Sequence, residues 1–184
     1  MISFPSGETA PGFDHPLEML HACHGKILRQ CNTLRKLAAH LAHKGCDQQA
    51  QQAAQSILRY FDTAGQLHHQ DEETDLFPTL RTLAGPDQAQ TEAMLERLSA
   101  EHIVIFAAWD ELHTALQQLA KGVNTPLPEA LAEQFIRSYT KHITFEEAEL
   151  LPLAARLLSP QQIMQLGQNM AERRGAKFPS TPAT

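Results

Sequence analysis

Histidine and glutamate recur at the same spacing at two places in this chain, His68 with Glu72 and His142 with Glu146. The first pair lies in His68-His69-Gln70-Asp71-Glu72-Glu73-Thr74-Asp75-Leu76-Phe77-Pro78. The second lies in His142-Ile143-Thr144-Phe145-Glu146-Glu147-Ala148-Glu149-Leu150-Leu151-Pro152. Both follow the frame H-x-x-x-E-E-x-x-L-[FL]-P. A spacing of four puts both side chains on one side of a helix, one turn apart. Imidazole nitrogen with carboxylate oxygen is a ligand set for a divalent metal. Two such pairs in one short chain point to one shared metal site.

Helices must position these groups. Asp14 is placed to cap a first helix that has Pro16 in its first turn and stops at Gly45. Its Leu17, Leu20, His24, Ile27, Leu28, Cys31, Leu34, Ala38 and Leu41 recur at three and four, the spacing of one buried face. Asp47 is placed to cap the second helix, whose stripe is Ile57, Phe61, Ala64, His68, Glu72 and Leu76. Pro78 should kink or end it. A third helix begins at Asp87, with Leu95, Leu98, His102, Ile105, Phe106, Trp109, Leu112 and Leu116. A fourth, after Pro128, carries Leu131, Phe135, Tyr139, His142, Glu146 and Leu150. Ser159-Pro160 starts a short fifth helix. No strand is evident. The expected fold is all-α, an antiparallel up-down four-helix bundle over residues 15–158 with a short fifth C-terminal helix over 159–174. Residues 1–14 read as a flexible arm and 175–184 as a disordered tail.

The bundle reads as two copies of a helix pair. His68 aligns with His142, Glu72 with Glu146 and Phe61 with Phe135. Leu20-x-x-x-His24 aligns with Leu98-x-x-x-His102, each histidine having a leucine ten residues later. The repeat selects among neighbours. His69 and Glu73 share the spacing of four, but the second copy has Ile143 and Glu147 there. They also sit about 100° around the helix from the apolar stripe, which makes them rim or supporting residues. His21 competes with His24, but its repeat partner is Ser99. The candidate metal ligands are therefore His24, His68, Glu72, His102, His142 and Glu146. Two ionised carboxylates on buried faces are costly unless paired, and one or two divalent cations would satisfy all six groups at once.

The remaining singled-out residues read more simply. His15, His40, His43 and His113 belong at the surface or at helix ends. Cys31 is a small core residue, and Cys23, a helical step from His24, packs between helices. Leu28, Phe106 and Trp109 are core residues that would also keep a metal pocket dry. Tyr139, one turn before His142, either reaches the site or points at a neighbouring helix.

Composition excludes several classes. With 184 residues and 42% hydrophobic content the chain fits one domain with one core. A net charge of -6 gives no footing for nucleic acid. No apolar run approaches a membrane span, and Met1 to Pro16 lacks the basic and apolar regions of a signal peptide. Three cysteines without a C-x-x-C fit reduced thiols in the cytoplasm. G-x-S-x-G, a phosphate loop and H-E-x-x-H are all missing. Of the paired E-x-x-H motifs of ferritin-like di-iron proteins only Glu18-Met19-Leu20-His21 is present.

At the two H-x-x-x-E-E-x-x-L-[FL]-P segments and the lone His24 and His102, the sequence resembles the hemerythrin-like, or HHE cation-binding, family. The resemblance spans about residues 15 to 158. It implies a four-helix bundle with a non-haem di-iron centre, bridged by two carboxylates and an oxo or hydroxo group. Glu72 and Glu146 would bridge, and His24, His68, His102 and His142 would be terminal ligands, with zinc or manganese as possible substitutes. Oxygen-carrying hemerythrins have H-x-x-x-H on the third helix, where this chain has His102 and Phe106. The resulting four-histidine, two-glutamate set is similar to repair-of-iron-centres proteins. Each iron would then have five ligands and an open sixth position for O2, NO or peroxide. The resemblance implies binding or sensing of O2, NO or redox state rather than an assigned enzymatic reaction. Donation of iron to damaged iron–sulfur clusters, and a non-catalytic metal-binding or interaction module, are the alternative readings. It leaves the oligomeric state open.

Overall fold

The computed structural model describes residues 11–83 and 85–179, and these form five helices. Helix α1, Pro16–Lys44, has proline in its first turn. Its N-cap is His15 rather than the expected Asp14, and no side chain caps it. At its other end Gly45 takes φ 68° and donates its N–H to the Leu41 carbonyl at 3.1 Å, the positive φ that glycine adopts without a Cβ penalty.

Helix α2 runs over 48–83 and begins as expected, with Asp47 Oδ1 accepting from the Ala50 N–H at 2.9 Å. Two wide π-turns, Phe61–Gly65 and Asp71–Leu76, interrupt its α-helical run. Helix α3 is Gln88–Ala120. Helix α4 runs over 129–157 and has one π-turn, Glu146–Leu150. Helix α5, Pro160–Arg173, is closed by a reciprocal cap. Ser159 Oγ accepts from Gln162 N at 3.3 Å, and Gln162 Oε1 accepts from Ser159 N at 2.9 Å.

Pro78 neither ends nor breaks α2, contrary to expectation. The turn before it is π-helical, and Phe77 N–H bonds the Glu72 carbonyl five residues back. The same bond recurs before Pro152, from Leu151 N–H to the Glu146 carbonyl. A proline clashes with the carbonyl four residues earlier, and the wider turn moves that carbonyl out of the way. The carbonyls of the two glutamates of the repeated frame thus accept matching five-residue bonds.

Helices α1 to α4 form a closed ring in which each packs on its sequence neighbours and α4 returns to α1. Two apolar clusters fill it. One contains Ile27, Leu34, Ile57, Ile105, Leu112, Phe135 and Tyr139. The other contains Leu20, Leu76, Phe77, Leu98, Leu150 and Met170. Each fully buried leucine or phenylalanine here contributes about 1.5–3 kcal/mol. Between the clusters lies a polar layer, because His24, His68, His102 and His142 each fall between residues of one cluster and residues of the other. Leu28 and Phe106, expected in the core, are instead 37% and 40% exposed. The buried seam follows Ile27 and Cys31 on α1 and Ile105 and Trp109 on α3, three and seven residues past each histidine. A residue four past is rotated off that seam.

Helix α5 packs on α1 and on the Asp71–Leu76 turn of α2. Gly167 permits this closeness, since a Cβ there would lie 1.9 Å from the Phe13 carbonyl oxygen and 3.0 Å from the Phe178 ring. Phe13 and Phe178 are half-buried against the bundle. Residues 1–10 of the expected arm and 180–184 of the expected tail lie outside the described residues.

Candidate metal centre

All six candidate ligands lie in the polar layer with side chains at most 1% exposed. They fall into two groups, His24, His68, Glu72 and Glu146, and Glu72, His102, His142 and Glu146. In each group the donor atoms lie within 4.8 Å of one another. Both carboxylates belong to both groups, and their oxygens divide accordingly. Glu146 turns Oε2 to His24 Nε2 at 3.2 Å and Oε1 to His142 Nε2 at 3.1 Å. Glu72 turns Oε1 to His68 Nε2 at 3.4 Å and Oε2 to His102 Nε2 at 3.6 Å. Each glutamate therefore offers one oxygen to each histidine pair.

Outer carboxylates fix the imidazole tautomers. His102 Nδ1 donates to Glu73 at 2.7 Å, His142 Nδ1 to Glu101 at 3.0 Å and His24 Nδ1 to Glu147 at 3.1 Å. An ionised carboxylate only accepts, so Nδ1 carries a proton and Nε2 faces inward. This carboxylate–histidine arrangement orients metal-binding imidazoles. Glu73 and Glu147 come from the paired glutamates of the repeat and cross to the neighbouring helices α3 and α1. Glu101 is itself held by Arg97 at 2.9 Å, and that guanidinium lies 3.8 Å over the Phe145 ring. Glu101 was not legible in the sequence, because the repeat places Cys23 at its position. His68 has no such partner, and its Nδ1 makes no hydrogen bond.

The inner atoms fit a cation and fit little else. Both oxygens of Glu72, both of Glu146 and His24 Nε2 are buried without a hydrogen bond, their approaches being ion-pair contacts only. His102 Nε2 and His142 Nε2 face each other at 2.9 Å. Two inward lone pairs at that separation repel unless a proton or a shared metal lies between them. Buried polar groups left this way cost about 1–3 kcal/mol each. Nitrogen and carboxylate donors that converge in two groups with shared carboxylates suit divalent first-row cations.

Charge is distributed unevenly across the layer. Burial and the neighbouring Glu146 push the Glu72 carboxyl well above the usual range. Burial pushes Glu146 upward too, but the His142 and His24 imidazoles against its oxygens outweigh it and hold this carboxyl well below the usual range. Burial depresses His24, yet the neighbouring Glu146 and Glu147 carboxylates prevail and raise it to about 9. Burial and neighbouring histidines drive His68 and His69 well below the usual imidazole value.

His69 is not at the rim. It is 2% exposed, with its ring 4.5 Å from that of His102 and 6.3 Å from that of His142. The expectation assumed one buried face per helix. In a closed ring α2 faces α1 on one side and α3 on the other. The 100° step from His68 to His69 turns from the first neighbour to the second. His21 lies at the edge of the layer, 3.0 Å from Glu147. Tyr139 is buried among Phe61, Phe135 and His69. His15, His40, His43 and His113 lie off the site, His40 on Asp47 at 2.9 Å and His113 on Asp62 at 3.2 Å.

Helix α5 braces the ligand-bearing turn. Asp71, fully buried beside Glu72, accepts from Arg173 and from Arg174, the latter at 2.6 Å. Asp75 accepts from Arg173 at 2.5 Å and from Asn169 at 2.7 Å.

Comparison with known proteins agrees with this geometry. The sequence profile of the Hemerythrin HHE cation binding domain matches residues 15–154. An uncharacterized protein of Haemophilus influenzae is 34% identical over 165 residues, which cover 90% of this chain and 93% of that protein.

Proposed function

The chain belongs to the hemerythrin HHE cation-binding family, and on that premise we propose that it holds two iron ions and uses them to bind or sense O2, NO or peroxide. The observation that carries this reading is the division of the Glu72 and Glu146 oxygens between the two histidine pairs. His24 and His68 would hold one ion, His102 and His142 the other, and the two glutamates would bridge. When bound, such a pair supplies redox-active iron with coordination positions for a small ligand.

The protein's own residues do the rest. Glu73, Glu101 and Glu147 keep three imidazoles in the metal-binding tautomer. The apolar clusters above and below the layer exclude bulk water, which strengthens every charge interaction inside it. A cavity of about 410 Å³, lined by Phe61, His69, Phe106, Trp109 and Tyr139, lies beside the layer at His69. Among the described residues no helix is long and apolar enough to cross a membrane.

Anaerobic reconstitution with ferrous iron, followed by metal analysis and a visible spectrum after exposure to air, tests the reading. Two irons per chain and the visible absorption of an oxidised iron pair are expected. Less than one iron per chain, or a spectrum unchanged by air and NO, would overturn it.

A further inference from the structure

The six residues of the centre leave one buried group unexplained. Neither ring nitrogen of His69 makes a hydrogen bond, although its side chain is almost fully buried. The Gly65 carbonyl lies near enough to favour a proton on the ring but not in hydrogen-bond geometry. One His69 nitrogen lies within 4.8 Å of a donor nitrogen of both His102 and His142. We propose that His69 is a third histidine ligand of the metal ion held by His102 and His142, supplied from α2. The inference rests on the two-metal reading above and assigns a ligand beyond its six.

Distance supports this. Metal–imidazole bonds are about 2.1 Å, so two nitrogens on one ion stand from about 3 Å apart at right angles to about 4.2 Å apart on opposite sides. The three nitrogens, all within 4.8 Å of one another, come close to that range. The ring is already held for it. Phe106 packs on it edge-to-face at 4.9 Å, and Tyr139 flanks it at 5.7 Å. His69 lies 59° out of plane from His68 at a ring separation of 5.3 Å, so α2 aims one imidazole at each metal position.

The repeat makes the centre unequal. The counterpart of His69 on α4 is Ile143, which is buried and has no donor atom. One ion is thus held by three histidines and the other by two. A coordination position for a small ligand falls to the ion of His24 and His68. His69 lines the 410 Å³ cavity, and neither His102 nor His142 does.

Cobalt(II) titration of the full chain, followed by competition with a chelator and by visible absorption, tests the assignment. The wild type is expected to take up two ions. His69→Ala should weaken one of them by about tenfold or more and alter the cobalt absorption. Imidazole entering through the 410 Å³ cavity should restore the wild-type absorption. His69→Gln, which refills the volume, should behave like His69→Ala but without response to imidazole. If both variants fold and bind two ions with wild-type affinity and absorption, the assignment is overturned. Equal weakening of both ions without imidazole rescue would overturn it too. A wild type that binds fewer than two ions would instead defeat the two-metal reading.

Discussion

Glu73 on α2 accepts a hydrogen bond from Nδ1 of His102 on α3 at 2.7 Å, while the glutamate beside it, Glu72, aims Oε2 at Nε2 of the same ring. One imidazole is thus gripped at both nitrogens by consecutive residues of one turn. Ser99 on α3 completes the arrangement by donating to Glu73 at 3.2 Å. Such outer partners are worth about 10- to 100-fold in metal affinity. Glu73→Ala should therefore weaken one of two bound ions by about that factor, with helical content unchanged. Glu147→Ala should do the same to the other ion through His24. Chelator competition on each variant measures both effects, and affinities equal to wild type would show that the outer carboxylates do not tune the centre.

The brace from α5 predicts a stability effect separate from metal. Asp71 is fully buried, and its charge is matched by Arg173 and Arg174. Removing one partner of a buried pair costs about 3–5 kcal/mol, because the other charge is left uncompensated. Replacing both Arg173 and Arg174 by alanine leaves the Asp71 charge buried alone and should lower the urea midpoint by that equivalent with or without metal. Arg173 and Arg174 keep some solvent contact and Arg173 keeps Asp75, so Asp71→Ala should cost less.

Four helices, their register and the six central residues were legible in the sequence because spacing and repeat both report on faces buried toward the bundle axis. What escaped did so for one physical reason. The repeat selects what the two halves share, and His69 and Glu101 are features they do not share, standing opposite Ile143 and Cys23. Uniform rotation per residue also misled. It had Pro78 kink or end α2, whereas a π-turn carries α2 through it to Leu83. The contacts of Arg173 and Arg174 with Asp71 join residues about a hundred positions apart, and no local pattern announces them.

Metal removal should be visible in thermal unfolding. A ligand that binds only the folded state stabilises it by about 2.7 kcal/mol at a hundredfold excess over Kd. For a chain of this size that corresponds to roughly 5–10 °C in Tm. Chelation should lower Tm by that amount. Glu146→Gln removes the carboxylate charge and one of the two oxygens that serve the two groups and should abolish the metal-dependent part. A Tm gain on metal addition that survives Glu146→Gln would place the stabilising ion elsewhere.

The uneven charge of the layer predicts how the metal-free protein and its metal uptake respond to pH. His24 is raised to about 9 and Glu72 is raised well above its ordinary value. A folded state that binds more protons than the unfolded chain loses stability as pH rises. The His24 contribution is fully present below its unfolded value near 6.5 and is lost as pH climbs through about 9. His68 and His69 act in the opposite sense. Their folded values lie well below 6.5, so acid that protonates the unfolded chain destabilises the folded one. Metal-free stability should therefore peak near neutrality and fall on both sides, measurable as urea midpoints between pH 5 and 9.5. Binding a metal requires unprotonated donors, so uptake at pH 7 must expel the protons that His24 and Glu72 hold. Calorimetric titration in buffers of different ionisation enthalpy should show more than one proton released per chain at pH 7. That number should decline as pH rises through about 9. Proton release that does not vary between pH 7 and 9.5 would mean that His24 already holds no proton before the metal arrives.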